Sequence, residues 1–184
     1  MITSANDSTA MQIIMNSQYR EFPETLLILE LCRAAARADG RKIGESLRAC
    51  AKVKARQAFN AFIRARDADL PCISCGETNP PDLHGGQWDC GHFKTVGANP
   101  ELRFEERNAH KQCKSCNAGA GKYTAKEATV AQHYEAGLVA RYGQEYVDWL
   151  NGPHEMTNYR REDFIRIRDE YRAKLKALKQ REAA

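Results

Sequence analysis

Three short segments combine side chains that could bind metal and move a proton: Cys72-Ile-Ser-Cys75, Trp88-Asp89-Cys90-Gly91-His92 and Asn108-Ala-His-Lys-Gln-Cys113-Lys-Ser-Cys116-Asn117. Paired Cys-x-x-Cys spacings suit tetrahedral zinc, because each pair wraps one edge of the ion while the chain between them forms a loop. Four thiolates leave no open coordination position, so zinc on Cys72, Cys75, Cys113 and Cys116 would be structural. The loop it closes carries Asp89 and His92, and Asn117 follows the last thiol directly. Imidazole titrates near neutral pH and suits a general base. Asp89 and Asn117 offer hard oxygens for Mg2+, which takes few protein ligands and keeps its waters. Phosphodiester hydrolysis needs both parts, a base for water and a cation for the leaving oxygen. The spacing is compatible with that chemistry without requiring it. In a regular strand Asp89 and His92 face opposite sides unless the chain bends, as Gly91 permits. The same residues also fit a non-catalytic zinc fold in which they cap turns.

These segments sit in a chain of 184 residues, long enough for one ordinary domain with extensions. Charged residues make up 28% and mean hydropathy is −0.65, which argues for a helix-rich protein and against a membrane span. The most apolar run, Leu26 to Leu29, is followed at once by Glu30. Without a basic leader at Met1 the expectation is no export and a reducing cytoplasm. Seven cysteines in that setting point to metal rather than disulfides, with Cys32 and Cys50 expected as buried thiols on helices.

Net charge is +4, but Arg41 to Arg66 holds eight basic residues against one acid, Glu45. Such a stripe suits a polyanion, although a solvated helix face explains a charge run equally well. Near the metal segments, Lys94, Arg103, Arg107, Lys111, Lys114 and Lys122 could grip phosphates. Trp88 reads as core packing, and His110 as a structural histidine.

The elements that must position these residues read as follows. A polar tail covers residues 1–20, and a helical, basic region covers 21–70, with helices from about Glu24 to Ala38 and Ile43 to Asp67. The metal module occupies 71–126, its strands expected at Trp88 to Lys94 and Leu102 to Phe104 among Gly, Pro and Asn turns. The Gly-rich run to Lys122 is not a Walker loop, because Cys116 and Tyr123 stand at two required positions. Residues 127–184 form C-terminal helices: one after the capping box at Thr124, one near Tyr146 to Leu150, and one from Thr157. The last carries Phe164, Ile167, Tyr171, Leu175 and Leu178 as a seam for packing or dimerisation.

His92, Asn108 and the Cys-x-x-Cys-Asn ending resemble the ββα-metal (HNH) nucleases, and Asp-x-x-His with Cys-x-x-Cys-Asn is similar to the endonuclease VII type of junction resolvase. From about Ala58 to Leu178 the chain resembles the lambdoid phage NinG (Rap) recombination family. The fold implied is mostly α with a small zinc-stabilised ββα-metal (HNH-like) module. The implied activity is a Mg2+-dependent endonuclease, with Mn2+ as substitute, cutting Holliday junctions, D-loops and other branched DNA in the host cytoplasm as a homodimer. His92 would be the base, Asp89 and Asn117 the cation ligands, and Asn108 the residue that orients His92. Cys90 is not expected to bind zinc. The rival readings are a non-catalytic zinc protein that binds DNA or assists recombination, and an HNH nickase indifferent to branching.

Overall fold

Helix α1 (Gly40–Arg66) buries Ala51, Ala55, Ala58, Phe59, Phe62 and Ile63, spaced by three and four so that they share one face. The computed structural model describes residues 40–83, 85–120 and 125–182. The chain divides into two units, residues 1–50 and 51–184. The expected tail and first helix lie outside the described residues. Cys50 is half-buried and disulfide-bonded, not the free thiol expected, and Cys32 lies outside the described residues.

Beyond α1 come strand β1 (Trp88–His92), 3-10 turns at Pro100–Phe104 and Glu106–Asn108, strand β2 (Ala109–Cys113), and helices α2 (Lys114–Ala120), α3 (Ala125–Tyr142), α4 (Gln144–Asn151) and α5 (Arg161–Glu182). The strands pair antiparallel, from Trp88 with Cys113 to His92 with Ala109, without a bulge. Leu102 to Phe104 was expected as the second strand. Pro100 opens a 3-10 helix there instead, which turns Leu102 and Phe104 into two different cores. The second strand is Ala-His-Lys-Gln-Cys, every residue of it buried.

Each face of this hairpin rests on its own apolar cluster. On one side Cys90 and Ala109 join Phe59, Ile63, Phe104, Phe164, Ile167 and Tyr171. Phe59 anchors that cluster, with ring centroids 4.8 Å from Tyr171 and 5.6 Å from Phe104. On the other side Ile73, Leu102, Tyr134, Leu138, Val147 and Leu150 pack together. The expected border at residue 70 therefore runs through a continuous core, since α1 and α5 pack on the hairpin. The first half of the α5 seam is spent on this intramolecular contact.

Gly137 on α3 lies against the backbone of Ile73, and a Cβ there would collide with the Ile73 carbonyl oxygen. Helix propensity alone favours alanine by about 1 kcal/mol. The close approach reverses that sign, so Gly137→Ala is expected to destabilise by ~1–3 kcal/mol in urea unfolding. A stabilised variant would remove the tight contact between α3 and the Cys72 loop.

Candidate functional site

The thiols of Cys72, Cys75, Cys113 and Cys116 all lie within 4.8 Å of one another. Cys72 and Cys75 occupy a turn closed by the Gly76 N–H donating to the Cys72 carbonyl, with Gly76 at φ +74. Cys113 ends β2 and Cys116 lies in the first turn of α2. A tetrahedral ion with Zn–S of about 2.3 Å has edges of ~3.8 Å, and the Cys75 and Cys113 sulfurs stand 3.8 Å apart. The cluster can hold a metal such as zinc.

Electrostatics fit that occupant. Burial pushes the Cys113 thiol up to about 11 and raises Cys116 further. Burial also opposes ionisation of Cys72, but N–H groups of Cys113, Cys75 and Ser74 outweigh it and lower its pKa. Crowded, part-buried thiolates are costly unless a cation compensates them.

Because α2 starts where β2 ends, Asn117 projects back onto β1. Its Nδ2 donates to Asp89 Oδ2 at 2.9 Å. Two hard oxygens, one on each residue, remain for a cation. His92 lies elsewhere. Strand alternation puts it with Trp88 and Cys90 on the opposite face from Asp89, and its ring stacks on Phe59 with centroids 6.0 Å apart. Gly91 does not bend the strand. Its side is instead covered by Gln112, whose amide donates to Ser74 Oγ at 2.7 Å.

His92 Nε2 lies 3.1 Å from the Arg103 carbonyl. A carbonyl only accepts, so Nε2 carries the proton and Nδ1 presents a lone pair. Burial lowers the His92 pKa, outweighing the carbonyl bond, and the charge of Arg103 adds to the fall. Asn108 makes no hydrogen bond to the imidazole. Its amide donates to the Lys94 and Leu102 carbonyls and accepts from the Lys94 N–H, which fixes the loop that presents Arg103. It positions His92 at one remove.

Several expected phosphate contacts have other work. Lys111 is buried, its Nζ donating to the Ala68 carbonyl at 2.6 Å and lying 4.2 Å over the Trp88 ring. Arg103 Nη2 donates to the Val96 carbonyl. Lys94 and Lys114 are half-buried, with Lys94 over Phe93, while Arg107 is exposed over Trp149. Lys122 lies outside the described residues. Arg66, read as part of the basic stripe, forks Asp67 at 2.7 and 3.0 Å and also donates to the Glu106 and Ala109 carbonyls. Asp67 in turn accepts the Lys111 backbone N–H. Nothing in the local pattern of α1 distinguishes Arg66 from its neighbours.

His110 is neutral and internal, its pKa pushed down to about 3 by burial and by Arg66. Its ring nitrogens lie 3.3 Å and 3.4 Å from the hydroxyls of Tyr134 and Tyr146. Tyr134 also donates to the Gly91 carbonyl, tying α3 to β1 between Asp89 and His92.

The sequence profile described as "Bacteriophage Lambda NinG protein" matches residues 33–182. The chain belongs to the NinG family. It is 45% identical over 126 residues to protein ninG of Escherichia phage lambda, covering 68% of this chain and 56% of that protein. The corresponding protein of Salmonella phage P22 is 44% identical over the same length, with 68% and 56% covered. That of Escherichia phage 933W is 44% identical, with 68% and 57% covered. The chain thus spans just over half the length of the curated NinG relatives it matches. No solved structure matches it. Among the described residues no helix is long and apolar enough to cross a membrane.

Metal analysis of the purified protein is expected to find one zinc per chain. Cys113→Ser is expected to lose the metal and lower the melting temperature, because Cys113 joins β2, α2 and the Cys72 turn. A metal-free wild type with an unchanged melting temperature would contradict this.

Proposed function

We propose that this NinG-family chain is a divalent-cation-dependent endonuclease that cuts branched DNA, Holliday junctions among its substrates. The observation that carries the reading is the meeting of Asp89 and Asn117, from separate elements, at 2.9 Å beside a strand that ends in a neutral imidazole. Asp89 and Asn117 would hold the cation, Mg2+ or Mn2+, which when bound stabilises charge on the phosphate and the leaving oxygen. His92 Nδ1 takes a proton from the attacking water. The Arg103 carbonyl keeps the proton on Nε2 throughout, and Asn108 holds the loop that supplies this carbonyl. In-line displacement puts the base and the leaving group on opposite sides of phosphorus. β1 carries no strand on its outer edge among the described residues, so Asp89 on one face and His92 on the other flank the same edge. Resolution of a four-way junction needs paired cuts, for which a homodimer is the acting form.

A second reading is a non-catalytic zinc module that binds branched DNA. The continuous register of β1 favours it, because it holds Asp89 and His92 on separate faces.

Incubation with labelled duplex, flap and four-way DNA, with and without Mg2+, separates the readings. Cation-dependent cutting of branched forms supports the proposal, equal nicking of linear duplex indicates a nickase without branch preference, and binding without nicking supports the second reading. His92→Ala is expected to lower cleavage by ~10²–10⁴-fold with zinc retained, and Asn117→Ala to lower it with a raised cation requirement. Full activity in His92→Ala would sink the mechanism.

The pH profile gives an independent check. A base must be unprotonated, and the His92 pKa lies below its ordinary value of 6.5. Cleavage is therefore expected to hold as pH falls through 6.5 and to decline only at lower pH. An acid limb centred above 6.5 would exclude His92 in this environment as the base.

A further inference from the structure

Where α1 ends against the start of β1, an open pocket of about 370 Å³ is lined by Arg64, Ala68, Gln87, Trp88 and Lys111. Two of these five residues are cations, one is an indole and none is an acid. Arg64 is half-buried and makes no hydrogen bond or ion pair with any described residue, whereas Arg66 two positions on is bound to three partners. The Lys111 ammonium meets the Ala68 carbonyl and the Trp88 ring, with no carboxylate of the described residues within ion-pair distance of it, while Asp67 accepts the Lys111 backbone N–H. The pocket is thus a part-desolvated positive site whose two cations form no ion pair with a described residue, Asp67 and Asp69 acting on Lys111 only at longer range.

We propose that this pocket holds one backbone phosphate of the DNA strand, with the Trp88 ring against the adjoining sugar and base. A guanidinium matches two phosphate oxygens with two parallel N–H donors. An indole edge or face accepts any base, so the site is indifferent to sequence. Trp88 stands four residues from His92 on the same side of β1. That separation is ~13 Å along the strand, roughly four nucleotide steps of a duplex strand. The pocket would therefore grip the strand away from the bond to be cut. This rests on the reading of the chain as a DNA-acting protein and not on cleavage.

The chain holds two tryptophans, so Trp149→Phe leaves Trp88 as the sole indole reporter. In that background, four-way DNA is expected to change Trp88 fluorescence saturably, with affinity falling as salt rises. Adding Arg64→Gln is expected to weaken binding about tenfold and to reduce the slope of log affinity against log salt by about one. Zinc content should not change. Lys179→Gln, at the far end of α5, serves as the control and should leave the Trp88 signal unchanged. An Arg64→Gln protein with zinc bound and unaltered affinity and slope would overturn the proposal. So would a Trp88 response to inorganic phosphate alone at the concentration, per phosphate, at which DNA acts, which would mark a free-anion site. If Arg64→Gln weakens binding while wild type cuts nothing in Mg2+, the pocket stands and the nuclease reading falls. If wild type cuts branched DNA and Arg64→Gln binds as before, the nuclease reading stands and the pocket falls.

Discussion

Four thiols within 4.8 Å of one another are the constraint on which the hairpin depends. A five-residue pair of strands is marginal alone in water, and β2 buries three residues that would not choose burial, His110, Lys111 and Gln112. Drawing Cys72 and Cys75 onto the end of β2 places Ile73 over the strand, where its N–H donates to the Lys111 carbonyl. The same clamp sets the first turn of α2. Asn117 follows Cys116 by one residue, so its meeting with Asp89 is a consequence of the cluster's geometry.

The same outer edge of β2 is also held by a charged rivet. Arg66 and Asp67, the last residue of α1 and its successor, are bonded to each other and to β2 through the Ala109 carbonyl and the Lys111 N–H. A buried carboxylate is costly unless it is fully hydrogen-bonded. Here a guanidinium and a main-chain donor both meet Asp67. The arrangement specifies where α1 ends relative to the sheet, which apolar contact through Phe59 and Ile63 alone would leave free to slide. It also withdraws Arg66 from the basic face of α1, whereas Arg64 makes no hydrogen bond or ion pair with any described residue.

What could be read from the residues tracks what is encoded locally. The Cys pairs were legible because metal spacing is a local signature, and the α1 and α5 helices because their apolar periods are local too. Asp89 and Asn117 were legible as a pair only through chemistry and family resemblance, and they do meet. β2 was not legible. Its polar residues alternate with no apolar partner, and each is satisfied by a group distant in sequence: His110 by Tyr134 and Tyr146, Lys111 by Ala68 and Trp88, Gln112 by Ser74. Leu102 to Phe104 mimicked a strand because its apolar side chains are real core residues, delivered by a 3-10 turn. The Arg66–Asp67 rivet was hidden for the same reason, since its partners lie about 40 residues on.

The position of Asn108 shows how a residue can bear on an imidazole without hydrogen-bonding to it. Its side chain spends both amide hydrogens and its oxygen on the backbone at Lys94 and Leu102. Those bonds close the loop between β1 and β2 at both ends, while the Phe93 N–H donates to the Asn108 carbonyl. The Arg103 carbonyl is one residue beyond Leu102, so its direction is set by the closed loop, and that carbonyl selects the His92 tautomer. Phe59 holds the ring plane from the other side. An imidazole held this way keeps its lone pair at Nδ1 because the alternative tautomer would place two acceptors, Nε2 and a carbonyl oxygen, 3.1 Å apart in a half-buried site. The neutral, singly oriented form is thus the low-energy state of the loop, whatever chemistry uses it.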